Sequence, residues 1–200
     1  MNTQTCENRT MLMAALLLVT ATAPTLAHAH MGVGETSGLL HGLSHPFLGI
    51  DHLAAMVAVG LWAAQRGGRA IWMVPLTFVT VMLMGGAMGI AGVPVPLVEP
   101  GIVGSLLVLG VLIAAAVRLP LAAASLLVAL FAVFHGYAHG VETPETASGL
   151  TYGVGFITAT AFLHACGIGL ALLARQWGST RLVRYAGGAT AALGVYLSVA

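Results

Sequence analysis

The sequence contains no lysine, and only 6% of its 200 residues are charged. Soluble globular domains carry about 25% charged residues, so this scarcity excludes an ordinary water-soluble fold. The net charge is only +1, and a chain without a strong basic excess is not expected to have a nucleic-acid partner. Cysteine is also scarce. Cys166 lies alone in an apolar run, where it is best explained as a small buried hydrophobe.

Apolar residues, by contrast, make up 58% of the chain, and the mean hydropathy is +0.97. A helix needs about 20 such residues to cross the ~30 Å hydrocarbon core of a bilayer. About six stretches of this length follow the N-terminal region, at residues 43–64, 70–91, 97–117, 119–141, 150–174 and 182–200. The last is the weakest, because Arg184 leaves barely enough apolar chain after it. The sequence thus predicts an all-α integral membrane protein, a compact bundle of about six transmembrane helices.

The first 29 residues have the pattern of a secretory signal peptide. A weakly basic start precedes an apolar core at 11–23, and the small residues Ala27 and Ala29 follow at a spacing typical of a cleavage site. Because the core is short for a membrane span, we predict cleavage after Ala27 or Ala29, with an uncleaved first anchor as the alternative. Residues 30–200 then form a single transmembrane domain.

The two cleavage sites differ in what they leave at the mature N-terminus. Cleavage after Ala27 gives a chain that begins His28-Ala29-His30. A free amine with histidine in the third position can chelate Cu(II) or Ni(II), since backbone nitrogens bind the ion as well as the imidazole. Cleavage after Ala29 removes this arrangement.

Charged residues alternate in sign between successive connections. The arginines beyond the signal segment fall between spans 1 and 2, 3 and 4, or 5 and 6, as Arg66, Arg69, Arg118, Arg175, Arg181 and Arg184. The acidic residues outside the spans lie on the other side, as Glu35, Glu99, Glu142 and Glu145. Because arginine-rich loops stay in the cytoplasm, we predict a bacterial inner-membrane protein with a periplasmic mature N-terminus. A cleaved signal peptide implies the same orientation.

Glycines recur at the four-residue spacing that lets membrane helices approach closely. The pairs are Gly85/Gly89, Gly136/Gly140 and Gly149/Gly153. Each pair alone is weak evidence in a chain with 26 glycines. Together they favour close helix packing.

Ionisable residues inside a span cost about 2.5–3.5 kcal/mol even on lenient scales, so they indicate a functional site. They concentrate in spans 1, 4 and 5. In span 1, Asp51 and His52 lie ~10 Å inside an outer boundary near His45, and a continuous helix would show His41, His45 and His52 on one face. Proline and glycine within residues 46–49 favour the alternative, a broken helix with backbone groups open beside the same residues.

Span 4 runs in the opposite direction and brings a second polar set to the same depth. Neutral imidazoles suit Ni, Co, Zn and Cu, and carboxylates offset the charge of the ion. We therefore predict a shared metal site built from His45, Asp51, His52, His135, His139 and Glu142. His41, and His164 about half-way through span 5, are weaker candidates for a metal path. The alternative for any single histidine is an interhelical hydrogen bond.

These residues resemble the HupE/UreJ family of nickel and cobalt permeases. The family pattern of a histidine, five residues and Asp-His is met by residues 45–52. Its second pattern, Phe-His-Gly followed by Gly-x-Glu, is met by residues 134–136 and 140–142. The resemblance leaves the role of His139 open. It implies metal recognition or translocation by His45, Asp51, His52, His135 and Glu142.

The expected function is import of a divalent transition metal ion as substrate, Ni²⁺ or Co²⁺, with no permanent cofactor and no enzymatic activity. Three alternatives use the same residues. They are a metal-binding sensor or accessory membrane subunit, a membrane protein that holds haem between two histidines, and an intramembrane metal-dependent hydrolase. The bilayer and the metal ion are the predicted partners, and a homo-oligomer is compatible with the sequence.

Overall fold

The structure is a computed structural model that describes residues 38–143 and 149–200. The predicted signal peptide and the His28–His30 chelate lie outside these residues. The described helices are α1 Gly38–Ser44, a 3₁₀ helix at His45–Phe47, α2 Ile50–Arg66, α3 Ala70–Ile90, α4 Val98–Ala114, α5 Leu121–Val141, α6 Gly149–Gln176 and α7 Thr180–Val199. The all-α prediction is confirmed for this part of the chain, which contains no strand.

Three helices, α3, α5 and α6, are long and apolar enough to cross a membrane. Large apolar side chains on their outer faces are exposed, among them Leu76, Leu126 and Phe162. Exposed apolar surface of this kind is unfavourable in water but suits the hydrocarbon core of a bilayer. The chain is therefore a membrane protein.

The first predicted span is broken. α1 and the 3₁₀ helix meet α2 at an angle of 80°, and the two parts together are long and apolar enough for a fourth span. Pro46 occupies the first turn of the 3₁₀ helix, and Gly49 is extended at the start of α2. Proline removes a backbone donor, which prevents a continuous helix through this point. The broken-helix alternative is thus the correct one.

Two predicted spans fall short of the same criteria among the described helices. α4 has 17 residues, or about 26 Å of helix, and α7 is less apolar because Arg181 and Arg184 lie in its first turns. The structure therefore contains three candidate spans, or four with the bent pair. That all six predicted spans cross the membrane stays a prediction.

Glycines bring α3 and α5 into backbone contact beside the polar residues. A Cβ at Gly136 would overlap the carbonyl oxygen of Met82, and one at Gly140 would overlap that of Gly86. Gly85 and Gly89 make equivalent approaches to α5. Two of the predicted packing pairs are therefore confirmed.

The third pair, Gly149/Gly153, is wrong. A Cβ at Gly153 would meet nothing within 4 Å in the described part of the chain. α6 instead uses Gly155 against the backbone of α1 and Gly167 against that of α2. A Cβ at Gly60, on α2, would overlap the carbonyl oxygen of His164. These contacts fix the position of the bent segment against α6.

Polar side chains gather at the opposite end of α2, around the segment that joins α4 to α5. The side-chain amide of Gln65 donates to the carbonyl of Ile113 at 3.0 Å, and Nε of Arg184 donates to the carbonyl of Ala114 at 2.7 Å. Arg66 donates to the carbonyl of Leu119. Arg66 and Arg184 therefore lie at the same end of the bundle, near the segment between α4 and α5.

Candidate metal site

The outermost part of the site joins the 3₁₀ helix to the end of α5. Nε2 of His45 lies 2.8 Å from Oε2 of Glu142, and Nδ1 of His139 lies 3.6 Å from the same oxygen. One ligand atom from each of these residues lies within 4.8 Å of those of the other two. The three side chains can therefore converge on a single metal ion.

Glu142 lies just beyond the end of α5 and is half-exposed. Its interactions with His139 and His45 hold the pKa of this carboxyl well below its usual range. Glu142 is thus an anion at any ordinary pH. A fixed negative charge at the edge of the site favours a cation there.

A second part of the site is the Asp51–His52 pair at the start of α2. Nδ1 of His52 is 2.9 Å from Oδ1 of Asp51, and the backbone N–H of His52 donates to the same oxygen at 2.7 Å. An ionised carboxylate only accepts hydrogen bonds, so the ring must carry its proton on Nδ1. Nε2 of His52 is then a lone pair free to bind a metal.

Ring contacts connect the outer group of His45, His139 and Glu142 with His52, and connect His52 with His135. The ring centre of His139 lies 4.7 Å from that of His45 and 4.3 Å from that of His52, and His52 and His135 are 4.9 Å apart. Metal–imidazole bonds are about 2.0–2.1 Å long for zinc, so neighbouring rings at these separations can share an ion. The structure thus brings together all six residues of the predicted site.

Several of these nitrogens are buried without a hydrogen-bond partner among the described residues. They are Nε2 of His52, Nδ1 of His135 and both ring nitrogens of His139. Buried polar atoms are almost always paired in proteins, and exceptions concentrate where a ligand binds. Open imidazole nitrogens on neighbouring rings are a donor set that late first-row divalent metals bind well.

Comparison with known proteins assigns this arrangement to a family. Residues 16–197 match the family described as HupE / UreJ protein. The chain is also similar to Protein HupE from Rhizobium leguminosarum bv. viciae, with 46% identity over 176 residues, which cover 88% of this chain and 92% of the relative. The chain belongs to the HupE/UreJ family. This family is of transporter type and is associated with nickel and cobalt transport. No solved structure matches the chain.

His41 and His164, the two weaker candidates for a metal path in this HupE/UreJ protein, lie next to the site. The ring centre of His41, on α1, lies 5.6 Å from that of His45, at the outer edge. His164 is buried on α6, and neither of its ring nitrogens has a hydrogen-bond partner in the described part of the chain. The Phe78 ring contacts both His164 and His135, with ring centres 5.3 Å and 5.7 Å apart.

Four residues around the histidines of this HupE/UreJ protein were not predicted. Tyr152 packs against His41 and His45, Phe156 packs against His139, and Phe78 packs against both His135 and His164. The Ser105 hydroxyl reaches Nε2 of His135 at 3.0 Å. Aromatic residues and single serines are common in membrane helices. Their presence in the sequence therefore does not indicate that they contact the histidines of the site.

Proposed function

We propose that this protein is a permease that imports a divalent transition metal ion, above all Ni²⁺ and otherwise Co²⁺, from the periplasm to the cytoplasm. The observation that carries the proposal is a set of buried imidazole nitrogens, without hydrogen-bond partners among the described residues, next to two carboxylates. Family membership supports transport of nickel or cobalt over the alternatives. The ion is the substrate of the site, and it passes from the outer residues toward His164.

The membrane potential can supply the driving force. A dication that moves toward an inside-negative cytoplasm gains about 4.6 kcal/mol per 100 mV, twice the value for a unit charge. Since about 1.4 kcal/mol is a tenfold change in an equilibrium, the gain supports roughly a thousandfold accumulation. The sequence contains no G-x-x-x-x-G-K-[ST] phosphate loop that would mark an ATP-driven transporter.

Ring geometry favours a bare metal ion over haem. The two axial imidazoles of a haem bind its iron from opposite faces of the macrocycle, so their rings are separated by the porphyrin plane. The rings of His52, His135 and His139 are instead in direct contact across helices. A porphyrin inserted between them would have to force α2 and α5 apart.

Uptake by purified protein tests the proposed function. Proteoliposomes that contain the chain should accumulate ⁶³Ni²⁺ or ⁵⁷Co²⁺ when an inside-negative potential is imposed with valinomycin and a potassium gradient. Reversal of the potential should suppress uptake, and protein-free vesicles should take up only the background amount. Tight binding of the ion without potential-dependent uptake would contradict a permease and favour the sensor or accessory subunit.

Glu142→Gln tests the role of the outer carboxylate. The change keeps the shape but removes the charge that faces His45 and His139, so we expect a several-fold rise in the metal concentration that gives half-maximal uptake. The maximal rate should fall less. Glu99→Gln is the matched control, since Glu99 is exposed in the first turn of α4. If both changes raise the half-maximal metal concentration equally, the cause is the loss of negative surface charge and not the position of Glu142 in the site.

The proposed orientation predicts which side of the membrane each loop faces. In a Cys166→Ala background, a cysteine at position 99 should react with a membrane-impermeant maleimide in intact spheroplasts. A cysteine at position 69, between α2 and α3, should react only after permeabilisation. The reverse pattern would place the arginine-rich loops outside and overturn the orientation.

A further inference from the structure

Ser105 is a fully buried serine on α4, and its hydroxyl makes two contacts. Its Oγ lies 2.6 Å from the carbonyl oxygen of Ile102 and 3.0 Å from Nε2 of His135. A serine hydroxyl has one hydrogen to donate and two lone pairs with which to accept. Which contact receives the hydrogen decides the protonation of the His135 ring.

The shorter contact must contain the hydrogen. Two oxygens at 2.6 Å repel each other unless a hydrogen lies between them, and a carbonyl has none to give. Ser105 therefore donates to Ile102 and accepts from His135. The neutral ring of His135 then has its proton on Nε2, and its Nδ1 is a lone pair.

That Nδ1 is the buried atom of His135 that has no hydrogen-bond partner in the described residues. The ring is thus held with its N–H toward α4 and its lone pair open. The opposite assignment would bury a ring N–H without an acceptor, which is unfavourable. The short contact between Ser105 and Ile102 and the lack of an acceptor near Nδ1 among the described residues therefore both favour the Nε2–H tautomer of His135.

The Ser105–His135 contact acts on its imidazole in the same way as the Asp51–His52 contact does. There the carboxylate holds the proton on Nδ1 and leaves Nε2 open, and here a hydroxyl holds the proton on Nε2 and leaves Nδ1 open. Histidines that bind metals usually donate their second N–H to such a partner, which fixes the tautomer and the ring orientation. The two rings are in contact, with centres 4.9 Å apart.

We propose that Ser105 is a positioning residue that fixes His135 as an Nδ1 metal ligand. The proposal rests on the proposed metal site but concerns a residue on a different helix, outside both family motifs. Ser105 does not touch the ion. It acts through the ring of His135, and it makes α4 part of the site.

The first test does not involve a metal. Nitrogen-15 NMR of histidine-labelled protein in detergent micelles reports which ring nitrogen of His135 carries the proton, with assignment by comparison with His135→Gln. We expect the Nε2–H form in the unmodified protein and a shift toward a mixture of both tautomers in Ser105→Ala. Ser105→Thr keeps a hydroxyl and should restore the Nε2–H form. A protein whose His135 is protonated on Nδ1 would overturn the proposal, whatever the variants do.

The second test measures Co²⁺ binding by its visible absorption and by titration calorimetry. Loss of a residue that orients a metal ligand typically lowers affinity 10–100-fold, and we expect a loss in this range for Ser105→Ala with an altered Co²⁺ spectrum. Ser125→Ala is the matched control. It makes the same change on α5, where the Ser125 hydroxyl has no hydrogen-bond partner among the described residues, and it should leave affinity and spectrum unchanged.

The two tests separate this proposal from the proposed function. A tautomer shift in Ser105→Ala with unchanged Co²⁺ affinity would mean that His135 does not bind through Nδ1, which overturns the proposal while transport can stand. Unmodified protein that binds and transports neither Ni²⁺ nor Co²⁺ would contradict the proposed function, and the tautomer result would then describe a structural hydrogen bond only. Loss of affinity that Ser105→Thr reverses supports the proposal.

Discussion

Replacement of His52 by alanine should abolish potential-driven uptake of Ni²⁺ and Co²⁺. His52 is the central ring of the site, in contact with both His135 and His139. Its Nε2 is buried and open, and Asp51 fixes its tautomer. Because loss of an orienting partner alone costs 10–100-fold in affinity, loss of the ligand itself should reduce initial uptake by more than about 100-fold.

A matched variant controls for the removal of a ring from a membrane helix. Tyr196→Ala removes an exposed aromatic ring from α7 and should transport at the normal rate. Both proteins should elute as single peaks and retain their helical circular dichroism. A folded His52→Ala protein that still accumulates the metal at a comparable rate would exclude His52 from the transport path and contradict the central part of the proposed site.

Gly136→Ala should have the largest effect of any single added methyl group. The new Cβ would overlap the carbonyl of Met82, a backbone atom that cannot move without shifting α3. Overpacking of this kind costs typically 1–3 kcal/mol. Gly136 follows His135 directly, so separation of α3 from α5 should also displace that ring. We expect a lower melting temperature in detergent and reduced metal affinity together.

The comparison for this change is Gly169→Ala on α6. A Cβ there meets nothing within 4 Å among the described residues, and glycine-to-alanine changes in an unstrained helix are neutral or stabilise by about 0.4–1 kcal/mol. The melting temperature should therefore stay constant or rise. Equal destabilisation by the two changes would mean that the close α3–α5 contact does not determine stability.

Much of the candidate site could be predicted because a helix that crosses the bilayer has a fixed rise per residue, so that the position of a residue in the span gives its depth. Counting at 1.5 Å per residue from the ends of two opposite spans predicts His45 level with His139 and His52 near His135, and in the structure the rings of each pair are neighbours. The break at residues 46–49 could also be predicted, because proline and glycine have direct backbone effects.

Other features depend on which helix faces which, and sequence spacing does not determine this. Ser105 is one serine in an apolar helix, and only the packing of α4 against α5 brings it to His135. The Gly149/Gly153 pair has the right spacing but faces no neighbouring backbone in the part of the chain that the structure describes. The family motifs likewise include the ligand candidates and omit the serine that orients one of them.

The position of Phe78 bears on how fast ions can cross. On the proposed path from His135 to His164, an ion would meet the buried Phe78 ring, which contacts both imidazoles. Each passage along this path would require the Phe78 ring to turn aside and the ion to exchange the nitrogens of His135 for those of His164. Side-chain motion would then limit the flux, so we expect uptake that saturates at low turnover, as in a carrier and unlike an open pore.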